Sequence, residues 1–232
     1  MCPQPHPAGP LALPASVQVR AWRRANRRMR WGIPAEHFRR LPPPPDLERQ
    51  EQREGFAGVI LCYGFGEGPG GVSEPVLSAR YAWEYAYRRR KETLWRSRRI
   101  WHCEYADPRR PDHWRLRPGA PPRPRGFYWV RFHPGSEYRH LTVAQFRKRL
   151  QHSTGCGPEG LQMLCVTHPH LAGLMDRRRF DFMALADFDI APYGYGDFFE
   201  APQVFCSQGI LGLGVGNIDG PYPVFAIPKI RF

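Results

Sequence analysis

No run of eighteen apolar residues occurs in this 232-residue chain, so no segment reads as a bilayer-spanning helix. Residues 1–15 lack a basic stretch followed by a sustained apolar core, and they do not read as a secretory signal. The six cysteines, Cys2, Cys62, Cys103, Cys156, Cys165 and Cys206, contain no C-x-x-C pair. That spacing excludes a zinc ribbon and a dense disulfide framework. Cys62, Cys165 and Cys206 sit in apolar runs, where a thiol behaves as a small hydrophobe, and a reducing cytoplasm is the expected compartment. Gly-x-Ser-x-Gly, His-Glu-x-x-His and Walker motifs are all missing, which removes the common hydrolase, zinc-protease and nucleotidase signatures. Acidic residues are few, 21 against 34 basic ones, leaving a formal charge of +13.

An excess of this size favours polyanionic partners, although a genome biased toward Arg, Pro and Gly codons would produce some of it. Its placement is more informative than its total. Residues 1–55 carry 10 basic and 5 acidic groups, residues 56–126 carry 14 and 7, and residues 127–232 carry 10 and 9. The C-terminal half is therefore near neutral, and polyanion binding belongs to the first half. With 42% apolar residues and seven tryptophans, the chain is expected to bury a substantial core.

Residues 1–55 are expected to form a disordered Arg- and Pro-rich leader and linker. Within it, Ser16 opens a short helical pattern with Val19, Trp22, Ala25 and Met29 along one side. Arg20, Arg23, Arg24, Arg27, Arg28 and Arg30 occupy the rest of that surface. Together with Trp22 and Trp31 they suit phosphate contact and base stacking, or contact with an anionic membrane surface. Translation from Met29 instead of Met1 would remove this run, and the sequence leaves both starts open. Leu41 and the four prolines after it read as a stiff spacer.

Residues 56–232 are expected to form one α+β domain, a mixed or mainly antiparallel sheet packed by three or four helices, with a break at 106–126 as the alternative. Phe56 to Tyr63 reads as a buried strand. Gly66, Gly68 and Gly71 then match a dinucleotide-loop spacing before a helix. Pro69 removes a donor there, and Glu67 and Glu74 would repel a phosphate, so a turn is the better reading. The helix from Glu74 toward Trp95 ends in a basic run of Arg88, Arg89, Arg90 and Lys91, followed by Arg98 and Arg99, a second candidate polyanion contact. Residues 107–126, rich in Pro and Arg, show no period and read as a loop. Phe127 to Phe132 is a strand. Thr142 and Gln145 form a capping box ahead of a helix.

From Pro158 a helix runs toward Thr167, where His168-Pro169-His170 interrupts it. Phe180 to Ile190 alternates as one strand, placing Asp187 and Asp189 on a common face. Short strands follow, including Ile210 to Gly216, whose glycine face is expected to pack beneath nearby aromatics. Asp187 and Asp189, with His168 and His170 folded over them, would suit Mg²⁺ or Mn²⁺ in a phosphodiesterase or nuclease. The favoured reading is a non-catalytic accessory protein, without cofactor, that binds nucleic acid or a nucleoprotein complex through Arg23, Arg24, Arg27, Arg28, Arg88, Arg89, Arg90, Lys91, Arg98 and Arg99. The alternatives are the metal-dependent hydrolase and a protein-interaction module with no nucleic-acid role. Nothing in the sequence specifies an oligomeric state.

Overall fold

The computed structural model describes residues 11–68, 71–89, 99–150, 154–176, 182–191, 197–220 and 225–232. Two sheets and seven helices among these residues form the α+β architecture expected. The smaller sheet is antiparallel, with strands β1 (Gly58–Gly64), β4 (Gly126–His133), β11 (Lys229–Arg231) and β5 (Thr154–Gly155) in that order. The larger contains β2 (Arg99–His102), β3 (Trp114–Leu116), β6 (Phe182–Ala184), β7 (Phe188–Ile190), β8 (Glu200–Ser207), β9 (Ile210–Asn217) and β10 (Phe225–Ala226). β8 pairs with β9 along its length on one side, and with β6 and then β7 on the other. Parallel pairs close both flanks, β10 on β6 and β2 on β9. One buried apolar cluster draws on residues from Leu11 to Ile230 and joins both sheets to the helices.

The leader expected to be disordered is folded from Leu11 onward, and residues 1–10 lie outside the described residues. Helix α1 (Ala15–Met29) follows the apolar period read from the sequence, with Gln18, Trp22 and Ala25 buried. Short helices α2 (Ala35–Arg39) and α3 (Arg49–Arg53) come next, the latter closed by a Glu48/Glu51 capping box. The reason for this order lies at the outer edge of β1. An edge strand exposes unpaired N–H and C=O groups, and here side chains serve them. The Gln18 amide donates to Val59 O at 2.9 Å and accepts from Leu61 N at 2.8 Å. Trp22 Nε1 donates to Leu61 O at 2.9 Å. Gln162, from α6 (Pro158–Gln162), donates to Tyr63 O and accepts from Tyr63 N. Two glutamines and a tryptophan thus take the place of a further strand. Further along the leader, the proline spacer accepts a bond from Trp129 Nε1 at Pro42 O, 2.8 Å.

Helix α4 (Glu74–Arg89) buries Val76, Ala79, Ala82, Trp83 and Ala86 against this core. Helix α5 (Val143–Arg149) begins at the expected capping box: the Gln145 N–H donates to Thr142 Oγ1 at 3.1 Å, and Gln145 Oε1 accepts from Thr142 N at 3.0 Å. Its Val143 and Phe146 pack on Ala184, Ala186 and Ala201 of the larger sheet. Thr142→Ala is expected to cost about 1 kcal/mol of stability, read as a lower urea midpoint with unchanged slope.

The region from Pro158 departs from a plain helix. After α6 the chain adopts a π-helical turn, Met163–Thr167, and restarts as α7 (His170–Asp176) beyond Pro169. The single strand expected over Phe180 to Ile190 is two strands, β6 and β7, with a turn between them. Phe188 N donates to Leu185 O at 3.0 Å, and Asp187 N turns away to Cys156 O at 3.2 Å. Period-two alternation concealed this turn because residues 183–190 are buried on both faces. Residues 107–126 are likewise more than a loop. They contribute β3, paired antiparallel with β7, and the buried Trp114 and Arg123.

Candidate functional site

Helix α1 divides into two surfaces. Trp22 and Ala25 face the core, while Arg20, Arg23, Arg24, Arg27, Arg28 and Arg30 are exposed. No acidic residue lies within α1. Arg27 and Arg28 in its last turn suit the negative end of the helix dipole, but a cap needs no more than one or two of the six. The Arg23 guanidinium lies 5.6 Å from the centre of the Phe38 ring, which brings α2 alongside α1. Arg39 and Arg40 are exposed there as well. Residues 11–40 therefore contain eight arginines against one acidic residue, Glu36. Arg20, Arg24 and Arg27 have no ion-pair partner among the described residues.

Base stacking by Trp22 and Trp31 is corrected by this geometry. Trp22 is fully buried, and Trp31 stacks on Tyr81 with ring centres 5.9 Å apart. The indoles pack inward and anchor the helix, while the arginines face outward. The second basic run divides differently. Arg88 is exposed, but Arg89 is buried with its guanidinium 5.2 Å from the Tyr85 ring centre, and it leaves the candidate surface. Arg90, Lys91 and Arg98 lie outside the described residues, as does the side chain of Arg99.

Asp187 and Asp189 face arginines. Asp187 Oδ2 accepts from Arg123 Nη2 at 2.8 Å and from Thr154 Oγ1, and its Oδ1 accepts from Arg117 Nε at 2.8 Å and Gly155 N at 3.1 Å. Arg123 continues to Glu159, in the first turn of α6, with Nε 2.8 Å from Oε1. The Tyr128 hydroxyl and the Gly157 N–H also donate to Glu159. Arg123, Glu159 and Asp187 have no exposed side-chain surface. Burial works against the Arg123 charge, yet Glu159 and Asp187 outweigh it and raise its pKa. Asp189 forms a separate group, 2.8 Å from Arg147 Nη2 and 3.3 Å from Arg115 Nε. Sequence reading missed Arg115, Arg117 and Arg123, because a Pro- and Arg-rich stretch without period reads as solvated.

His168 is buried at the end of the π-helical turn. Its Nε2 lies 3.3 Å from Leu11 O and its Nδ1 2.8 Å from Thr167 Oγ1. A neutral ring with the proton on Nε2 satisfies both contacts. Burial and the neighbouring His170 push its pKa down to about 3. His170 is exposed at the start of α7, its ring centre 5.8 Å from that of His168. Among the described residues no group of three or more His, Cys, Asp or Glu gathers closely enough to hold a metal. The arrangement around Asp187 does the work of a brace. It ties residues 117–123, β5, α6 and the turn between β6 and β7 together.

The glycine-rich loop leads from β1 into α4, but β1 pairs antiparallel with β4 and starts no βαβ unit. The Glu74 carboxyl occupies the helix end, accepting from Phe65 N at 3.2 Å and from Ser78 Oγ. Its Oε2 is buried without a partner. Burial, reinforced by the negative charge of Glu159, raises the Glu74 pKa to about 7 against the opposing hydrogen bonds from Ser78 and Phe65 and the charge of Arg123. Burial likewise pushes the Cys62 and Cys156 thiols well up, and both remain protonated and inert.

The fold and its surfaces define a basic α+β protein with a cationic helix braced on its edge. No family model, curated protein or solved structure matches the chain. No helix among the described residues is long and apolar enough to cross a membrane.

Proposed function

We propose that this is a non-catalytic nucleic-acid-binding protein whose contact surface is the arginine face of α1, extended by Arg39 and Arg40. The observation that carries the reading is the division of α1 into an anchored side, through Trp22 and Gln18, and an outward side of exposed arginines without acidic neighbours on the helix. Guanidinium groups on a rigid helix meet phosphates with little ordering cost, and each phosphate neutralised releases condensed counterions. Since α1 also protects the edge of β1, deleting the leader would damage the fold. Point substitutions on the exposed face are the informative variants.

Binding of the full chain to a fluorescein-labelled duplex, followed by anisotropy between about 50 and 200 mM salt, is expected to weaken steeply with salt. The triple variant Arg20→Gln/Arg24→Gln/Arg27→Gln is expected to reduce the log–log slope by about two to three units and weaken binding at least roughly tenfold. Its melting temperature should stay close to that of the parent. Binding without salt dependence, or a triple variant that binds like the parent, would remove nucleic acid as the ligand of this surface.

A further inference from the structure

The larger sheet carries a second surface that α1 does not account for. Its inner face is closed by Val204, Cys206, Leu211 and Leu213. Its outer face is covered at one end by α5, through Ala184, Ala186 and Ala201. Along β8, Phe205 shares the face of Ala201, four residues before it. At that other end, aromatic rings from three strands form a row. Phe182 of β6 packs edge-on to Phe205 of β8 with ring centres 6.0 Å apart, and Trp101 of β2 lies 5.9 Å beyond Phe205. Gly212 of β9 is the register partner of both Phe205 and Trp101. A Cβ at Gly212 would stand 2.1 Å from Phe205 Cζ, and one at Gly214 would reach van der Waals contact with Phe205 and Trp101. The missing side chains at Gly212 and Gly214 make room for Phe205 over β9, with the Trp101 ring tilted 47° and the Phe182 ring 61° to it. Trp101 is 48% exposed, the most of any large apolar side chain among the described residues.

A row of tilted rings on a sheet offers single π faces to planar ligands, and the charge on the same side of the sheet selects which kind. Lys148 and Arg149 are exposed on α5, the helix covering the rest of this face, and neither has an ion-pair partner among the described residues. Planar groups joined by phosphates match both features. We infer that the Phe182–Phe205–Trp101 row is a stacking platform for unpaired bases of single-stranded nucleic acid, with Lys148 and Arg149 beside the strand's phosphates. The inference rests on the nucleic-acid reading of α1 and adds a preference for single strands. Duplex bases are already stacked on one another, so they cannot use the platform, whereas every unpaired base presents a π face to it.

The test compares a labelled oligothymidylate with a labelled duplex of the same length, using the full chain. Trp101→Ala and Phe205→Ala are each expected to weaken single-strand binding roughly tenfold, with duplex affinity and salt slope unchanged. Trp101→Phe, which keeps an aromatic ring, should retain most of the affinity. Unchanged single-strand binding in Trp101→Ala, with the α1 triple variant still impaired on both probes, overturns the platform and leaves the α1 reading intact. Failure of the parent to bind either probe removes both. If Trp101→Ala instead turns a sedimenting dimer into a monomer without altering oligothymidylate affinity, the face joins two copies and the platform is overturned.

Discussion

Arg123→Ala is expected to destabilise the fold by about 3–5 kcal/mol, the usual cost of removing one partner from a buried ion pair. Glu159 would keep only the Tyr128 hydroxyl and the Gly157 N–H, and Asp187 would keep Arg117, Thr154 and Gly155. Two carboxylates would then share a closed interior with one cation, Arg117, on its margin. In a chain of this size the loss corresponds to a fall in melting temperature of about 10 °C. Adding Glu159→Gln should recover part of it, because the variant then leaves one fewer uncompensated charge, and the two changes should be non-additive. Arg123→Lys should fall between parent and Ala, since an ammonium cannot hold both carboxylates with a planar fork. Chemical denaturation followed by circular dichroism measures all three. A cost below about 1 kcal/mol for Arg123→Ala would show that the cluster does not brace the fold.

Glu74→Gln is expected to become progressively more stable than the parent as pH rises from about 4.5 to about 7. The folded chain keeps the Glu74 proton up to about pH 7, whereas the unfolded chain releases it near 4.5. Within that window the folded state binds more protons, so the contribution of Glu74 is fully present below pH 4.5 and is lost as pH rises through 7. The difference amounts to about 3 kcal/mol. His168 acts in the opposite sense. Its ring stays neutral in the fold down to about pH 3 but charges near 6.5 when unfolded, so its contribution is lost as pH falls below 6.5. Burial lowers the His133 pKa too and adds in the same direction as His168. Both histidines titrate alike in parent and variant, and the difference between the two stability curves isolates Glu74. A difference that does not change with pH would mean that Glu74 is ionised in the fold.

The individual elements were legible where a local signal coincided with their burial. The Thr142/Gln145 box, the apolar period of α1 and the β1 and β4 runs each declare themselves within a few residues, and each forms as read. The π-helical turn begins at Met163 without any local mark, although Pro169 foretells the break after it. The turn at Leu185–Asp187 was invisible for a different reason. Hydrophobic alternation reports a strand only when its two faces meet different surroundings, and here both are buried. Asp187 and Asp189, read from their spacing as candidate metal ligands, turn instead to arginines that lie up to 74 residues earlier in the chain.

By itself the sequence determined the α+β class, most helix and strand positions, the division of α1 into apolar and basic sides, and the concentration of positive charge in the first half. These follow from composition and from periods of two and 3.6, which adjacent residues carry. Only the tertiary structure decided that the leader folds onto the edge of β1, that Arg123 is interior while Arg20, Arg24 and Arg27 are not, and that three aromatics from distant strands lie in one row. An arginine's sequence neighbours do not reveal whether a carboxylate waits beside it, and a strand edge is completed by whatever donors the fold brings to it. Charge burial and edge protection are long-range facts, set by which segments meet.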